Sequence, residues 1–415
     1  MKILHLAYSD DYGGASVAMK KIHKALQSYS PDVSSSIAVI DRKGNDEHII
    51  SLSSTFFEQI WAYVRTRLAY KIVALLQKTS NSSGRSVNIF PSNVLNRINA
   101  IDFDILHLHW IGNETIKIED LIKIRKPILW TFHDTWAMLG AEHTDITFSE
   151  RFVEGYSKEN KASTSSGLDV DRWTWERKLK IFSSVRITPI AVSTWLASEI
   201  KRSKIWNSSQ PVVIPNCINN QQWEIGDKQL SKSNLGIAQT QKVVAFGAIN
   251  AFSDKLKGYQ LLKEALLSLS ERYNENVLLL LFGDPFVGEI ELDGNIKVKS
   301  IGVLREINEL NKVYSCADVV VVPSYIETFG QVAAEAIACG TPVVAFNNSG
   351  PVDIIRPGFN GYLSNAYSIT DMADKIKQAL ETNWDPDAMK DDIQYRFSDK
   401  VVAEKYTAVY KELLK

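Results

Sequence analysis

The chain has 415 residues, too many for one ordinary hydrophobic core, so two domains, or three, are expected. A formal net charge of −1, with 45% hydrophobic and 23% charged residues, is the composition of a globular protein and gives no global sign of nucleic-acid binding. Cys217, Cys316 and Cys339 stand without CxxC spacing, which argues against a disulfide framework or a zinc cluster and fits a reducing compartment.

Taken in order, "MKILHLAYSDDYGG" reads as a strand and turn rather than a signal peptide, because its apolar run is short and acids follow at once. No window reaches 18 uninterrupted apolar residues, so no membrane span is expected, and the cytoplasm is the expected compartment. "KILHLAY" is an apolar strand, "DYGGAS" a Gly-rich turn and "SVAMKKIHKALQSY" a helix; "SSSIAVI" is the next strand. Residues 56–78 mix aromatics with Arg65, Arg67, Lys71 and Lys78. They read either as a basic helix lying on an anionic membrane surface or as an ordinary helix with a solvated face. "SNSSGRSVN" (80–88) is a polar loop. "FDILHLHW", "PILWTFHD" and "ITPIAVS" are short apolar runs ending in polar residues, as in a parallel sheet covered on both faces. Sites in such sheets lie at the carboxyl ends of the strands, where His109, His133, Asp134 and Ser193 fall. Residues 140–172 read as a long irregular insertion. Trp173 and Trp175 either stack on a sugar or pack in a core.

"PVVIPNCINNQQW" (211–223) reads as a link, and a second α/β unit begins near residue 221. "QKVVAFGAI", "NVLLLLFGD", "NIKVKSIG", "DVVVVPSY" and "TPVVAFN" are its strands, with helices between them. The last helix starts at Ser398. Within "ETFGQVAAE" (327–335), Glu327 precedes a helix expected over 329–339, with Thr328 as its N-cap and Gly340 after its end. Eight residues of helical rise are about 12 Å. The N–H groups of Thr328, Phe329 and Gly330 lie between the two carboxylates. The spacing suits an extended ligand with hydroxyls at both ends and phosphates at the helix start. It equally suits two solvated glutamates.

"HLHW" (107–110) admits a metal reading, because alternating histidines on a strand point the same way. It seeds a rival class, a metal-dependent hydrolase using His107, His109, His133 and Asp134. Lacking a completing Glu/His pattern, these residues are expected to be strand-end residues with no metal.

"PSYIETFGQVAAEAIACGTPVVAF" resembles the signature of retaining glycosyltransferases of the GT-B fold, family 4, nearest to the branch active in bacterial exopolysaccharide assembly. "HDTW", "AVSTWLASEI", "VIPNCIN", "FGAINAFSDKLKGYQLL" and "FSDKVVAEKYTAVYKELL" resemble further segments of that family in the same order, over almost the whole chain. The resemblance implies an α/β fold of two Rossmann-like doubly wound domains facing each other across a cleft. An acceptor-side domain would span 1–215 and a nucleotide-sugar domain 216–395. A C-terminal helix, 396–415, would return to the first domain. It implies glycosyl transfer with retention from a nucleotide sugar, UDP- or GDP-linked, to a glycan or lipid-linked acceptor, with no cofactor and no nucleic acid. A non-catalytic sugar-nucleotide binder is the third class. By the same resemblance Glu335 holds ribose hydroxyls, Glu327 holds donor-sugar hydroxyls and Lys257 neutralises the leaving pyrophosphate. Gly13 and Gly14 admit the phosphates closely, and His133 lines the donor-sugar pocket. Asp134, His109 and Trp173 fall on the acceptor side. Two departures are plain: Lys255 stands near where the family has an Arg, and Cys217 and Asn219 replace the usual Gly and Asp.

Overall fold

The computed structural model describes residues 1–415 except 12, 146, 148, 220, 294 and 295, and leaves the side chain of Asp293 undescribed. Parts of the predicted "DYGGAS" turn, the 140–172 insertion and the 211–223 link therefore lie outside the described residues. The chain divides into two compact units, Met1–Cys217 with Asp399–Lys415, and Ile218–Ser398.

In the first unit seven strands form one parallel sheet in the order Ile49–Ser51, Ser34–Asp41, Lys2–Ser9, Ile105–Leu108, Ile128–Phe132, Ile187–Ala191, Val212–Val213. The order reverses between Lys2–Ser9 and Ile105–Leu108, which is where a doubly wound sheet opens its ligand crevice. The inner strands are buried along most of their length, because helices cover both faces. Ile3, Ile105, Leu129 and Ile190, from four neighbouring strands, share a core with Ile22 and Leu26 of the helix Gly13–Tyr29. Tyr406 and Tyr410 of the helix Asp399–Leu413 complete that core, so the chain's last helix belongs to the first unit. Cys217 is buried beside them, and all three cysteines are free and buried.

The second unit repeats the plan. Its sheet runs Val287–Asp293, Ile296–Ile301, Val277–Phe282, Lys242–Gly247, Val319–Val322, Val343–Phe346, Gly361–Ser364, and reverses between Lys242–Gly247 and Val319–Val322. The strand Val287–Asp293 pairs antiparallel at the edge and was not expected. Its alternating acids, Glu289, Glu291 and Asp293, hide the apolar signal that marks the inner strands.

The helix Phe56–Leu76 starts on a capping box, Thr55 with Glu58. The 80–88 segment is less polar in practice than its composition: Ser86, Val87 and Asn88 are buried, and Asn88 Nδ2 donates to the carbonyls of Ile111 and Ile116. The 140–172 insertion is irregular but tied down. Its short helix Arg151–Glu154 is anchored by an Arg151–Asp169 ion pair at 2.6 Å, and the helix Val170–Phe182 begins inside it. Arg85 and Gln77 both reach Asp171. Burial and the neighbouring Asp171 push the Glu142 carboxyl well above its usual range. Lys178 is fully buried and donates to the carbonyls of Trp136, Leu139 and Gly140. Replacing it with Leu leaves three carbonyls without a donor and is expected to cost about 3–5 kcal/mol in urea unfolding. A cost under about 1 kcal/mol would contradict this anchoring role. Among the described residues no helix is long and apolar enough to cross a membrane.

Candidate functional site

The carboxyl ends at the reversal of the second sheet carry Lys257 and Glu327. Lys257 follows the strand Lys242–Gly247, in the short turn Lys255–Lys257, and Glu327 follows Val319–Val322. Lys257 Nζ lies 2.8 Å from Glu327 Oε1. The Glu327 carboxylate holds the Lys257 ammonium above its usual pKa, overcoming the opposing effect of burial. Glu327 Oε1 also accepts from Ser324 Oγ at 2.9 Å. Two residues expected to act at neighbouring groups of one ligand, its sugar and its pyrophosphate, are thus paired with each other.

The two loops are locked together by backbone. Tyr325 N–H donates to the Leu256 carbonyl at 2.9 Å. Gly258, at φ +74°, passes so close that a Cβ there would lie 1.9 Å from the Pro323 carbonyl oxygen. Gly258→Ala is therefore expected to move Lys257 off Glu327. A melting-temperature loss of several degrees should accompany at least a ten-fold loss in any activity that uses the pair. Wild-type melting and activity would show that the close approach is dispensable. Ser349 and Gly350 support Glu327 from the other side: Glu327 N–H donates to Ser349 Oγ at 3.1 Å, and the Glu327 carbonyl accepts from Gly350 N–H at 2.7 Å.

The helix differs from the expected 329–339. It spans Gln331–Ala338, and Gly330 at φ +102° is its cap in place of Thr328. Phe329 is buried and packs edge-on against Phe397, with ring centroids 5.7 Å apart, so the chain must turn sharply before the helix begins. Only four residues of helical rise, about 6 Å, separate the helix start from Glu335, and the rest of the interval is loop. The N–H groups of Gln331, Val332 and Ala333 are those the helix leaves without an internal acceptor. Glu335 is 8% exposed and is held by Gln331 Nε2 at 2.7 Å and the Tyr314 hydroxyl at 3.2 Å. Lys255 is exposed.

In the first unit, Gly13 has φ +80°, which requires glycine, and a Cβ on either Gly13 or Gly14 would meet only open space. Gly13 and Gly14 begin the helix at the carboxyl end of the first strand, and Ser16 Oγ donates to the Ser9 carbonyl beneath them. A row of imidazoles crosses the reversal. His133 Nε2 is 2.9 Å from His109 Nδ1, and His109 Nε2 is 2.9 Å from His5 Nδ1. His5 is the register partner of His107 on the adjoining strand. The nitrogens of His5, His107 and His109 lie within 4.8 Å of one another. Burial pushes the pKa values of His5, His107 and His109 well below the usual imidazole value, and that of His133 to about 4. All four are neutral at pH 7, so each offers one donor and one acceptor.

This geometry does not assemble the His107/His109/His133/Asp134 ligand set. His107 lies inside the sheet core with its nitrogens engaged by the Tyr410 hydroxyl at 2.7 Å and Thr131 Oγ1 at 2.8 Å. Asp134 accepts from Trp110 Nε1, His143 Nδ1 and Trp136 N–H. Burial raises its pKa, but the His143 charge and these bonds prevail and hold it below the usual carboxylate value. It fixes the loop around His133 rather than projecting freely. Trp175 is core, stacked on Tyr156, whereas Trp173 is 46% exposed with the Arg177 guanidinium 4.7 Å from its ring centre. The supporting residues Ser324, Ser349, Gly350, Tyr314, His5 and His143 were not singled out in the sequence.

Residues 227–395 match the family Glycosyl transferases group 1. A D-inositol 3-phosphate glycosyltransferase of Corynebacterium jeikeium is 35% identical over 158 residues, covering 35% of this chain and 37% of that protein. An uncharacterised glycosyltransferase of Methanocaldococcus jannaschii is 30% identical over 243 residues, covering 54% of this chain and 59% of that protein. These matches thus span from about a third to three fifths of their relatives' lengths. Among solved structures, a sucrose-phosphate synthase of Thermosynechococcus elongatus superposes over 100% of this chain and 99% of its own, with TM-score 0.66 and 18% identity. Anabaena HepE, solved with UDP and glucose, superposes over 99% of each chain with TM-score 0.62 and 16% identity. The fold is GT-B, with two Rossmann-like sheets. None of these similarities supports the hydrolase class.

Proposed function

We propose that the chain is a glycosyltransferase that moves a sugar, with retention, from a nucleoside-diphosphate sugar to a hydroxyl of a glycan or lipid-linked acceptor in bacterial surface-polysaccharide assembly. The observation that carries this is the Lys257–Glu327 pair, set at the reversal of the second sheet beside the start of the Gln331–Ala338 helix. A cation and three convergent amides suit a diphosphate, and Glu335, held by Gln331 and Tyr314, suits vicinal hydroxyls on the nucleotide side. The match of residues 227–395 to the group 1 family supports the same assignment, and the UDP bound by HepE supports the choice of nucleotide class.

In this proposal a diphosphate arriving at Lys257 takes over part of its charge from Glu327, which frees the carboxylate to accept from donor-sugar hydroxyls. As the glycosidic bond breaks, negative charge grows on the leaving diphosphate, and Lys257 with the amides of Gln331, Val332 and Ala333 stabilises it. The leaving phosphate oxygen takes the acceptor's proton on the face it departs from, so the protein positions and stabilises charge rather than supplying a nucleophile. His133, Gly13 and Gly14 are assigned to the donor sugar and phosphates, and Trp173 to the acceptor. No metal is assigned to this chemistry.

A thermal-shift panel of UDP-, GDP- and ADP-sugars, with a CMP-sugar as the single-phosphate contrast, tests the proposal. One diphosphate sugar should raise the melting temperature at millimolar concentration, and Glu335→Ala should abolish the shift. A panel that shifts neither protein would contradict the nucleotide site. Binding without turnover would indicate a non-catalytic sugar-nucleotide binder.

A further inference from the structure

The glycosyl-transfer proposal makes no use of the helix Phe56–Leu76. At 100° per residue, Phe57, Ile60, Trp61, Val64, Leu68 and Leu75 fall on one side of it. All six are exposed, Phe57 by 81% and Leu75 by 83%, and Lys71 lies within the same stripe. The stripe runs about 27 Å along the helix, opposite the buried positions Ala62, Arg65, Ala69 and Val73. An exposed apolar face of this length, interrupted by Lys71, marks an interaction surface.

One flank of the stripe carries Tyr63, Arg67 and Tyr70, with the Arg67 guanidinium 4.0 Å from the Tyr63 ring centre. This flank borders a cavity of about 420 Å³ lined by Arg67, Tyr70, Lys71, Arg85, Asn113 and Glu114. Arg85 is nine-tenths buried. Its Nε pairs with Asp171 and its Nη1 reaches the carbonyls of Asn81 and Ser83, and Nη2, without a hydrogen-bond partner among the described residues, is itself closed off from solvent, so Arg85 is wall rather than an open donor. Asp171 offsets Arg85, which leaves Arg67 and Lys71 as the cavity's cations; Glu114 opposes them, but its Oε2 is satisfied by the N–H groups of Ile89 and Phe90, and burial pushes its carboxyl above the usual range. The cavity therefore favours an anion. Ser86, also in its wall, lies 2.8 Å from His143 Nε2, and His143 Nδ1 holds Asp134 at 2.6 Å. The cavity is two hydrogen bonds from the loop that carries His133.

We propose that this helix and cavity dock an anionic membrane lipid, its hydrocarbon along the Phe57–Leu75 stripe and its phosphate headgroup at Arg67 and Lys71. Charge complementarity and the junction of a long apolar face with a cationic cavity select a lipid over a second protein copy. Resting on the glycosyl-transfer proposal, such a lipid is the anchored end of the acceptor.

Flotation of the full chain with vesicles, read without any donor sugar, tests the docking separately from transfer. Vesicles of phosphatidylcholine mixed with phosphatidylglycerol should carry the protein, and phosphatidylcholine alone should carry far less. The double variant Phe57→Ser/Leu68→Ser should lower partitioning at least ten-fold. Arg67→Gln/Lys71→Gln should lower it about five-fold per charge removed. Both should melt within a few degrees of wild type, since these side chains are exposed. Equal flotation on the two vesicle types, or by all three proteins, would overturn the proposal. So would a dimer on gel filtration that Phe57→Ser/Leu68→Ser dissociates while no vesicle is bound. Stabilisation by soluble pyrophosphate through Arg67, without flotation, would assign the cavity to a free anion and overturn the lipid.

Discussion

Glu327→Gln is expected to cut kcat/KM for glycosyl transfer about 10²–10³-fold, and Lys257→Ala to cut it further, while both proteins keep wild-type circular dichroism. The magnitudes follow from the usual worth of one preorganised charged group facing a developing charge, about 3–4 kcal/mol. The two variants should differ in kind. Glu327→Gln preserves shape and hydrogen bonding to Ser324 but removes the counter-charge of Lys257, so affinity for the nucleoside diphosphate should hold or rise. Lys257→Ala removes the cation and leaves Glu327 facing the phosphates alone, so diphosphate affinity should fall at least ten-fold. Near-normal rates in Glu327→Gln, or unchanged diphosphate affinity in Lys257→Ala, would move the phosphate site elsewhere.

Acid should unfold the first unit steeply between pH 6 and 5. His5, His23, His107, His109 and His133 all have folded pKa values pushed below the usual imidazole value mainly by burial, to about 4 for His23 and His133. Below about pH 6.5 the unfolded chain binds protons on these groups that the folded chain refuses, so stability falls as pH falls. Glu114 and Glu142 act in the opposite sense, because burial raises their folded pKa values and the folded chain holds protons the unfolded chain releases. The five imidazoles outnumber the two carboxyls, so the net effect is a loss of stability as pH falls through the usual imidazole range. Urea unfolding followed by tryptophan fluorescence across pH 7.5–5 measures that slope. His107→Gln, which can still bond Tyr410 and Thr131, should flatten it by about one proton. A slope below one proton would mean that water reaches the imidazole row.

Parts of this arrangement were legible in the residues. The two doubly wound units show because inner parallel strands such as "DVVVVPSY" and "NVLLLLFGD" are apolar throughout, and the Glu327/Glu335 spacing shows because both residues sit in one short segment. The cap at Gly330 was hidden, because Thr328 is a better capping residue by type and only the burial of Phe329 forces the later start. The Lys257–Glu327 pair joins residues 70 apart and depends on Gly258 passing against Pro323, which no local pattern encodes. His107 and His109 are close in sequence and their ring centres lie 4.2 Å apart, but His5 joins them only through the register of neighbouring strands. Ser349 and Gly350 support Glu327 through backbone groups and leave no side-chain pattern to find.

The most direct measurement is nucleoside-diphosphate release from the sugar panel by wild type and Lys257→Ala, with EDTA present. Wild type should release one nucleoside diphosphate at a rate well above the uncatalysed background, and Lys257→Ala should lose at least 10²-fold of that rate. Release that EDTA abolishes and a divalent metal restores, or equal release by the two proteins, would contradict a transfer chemistry built on Lys257 and Glu327.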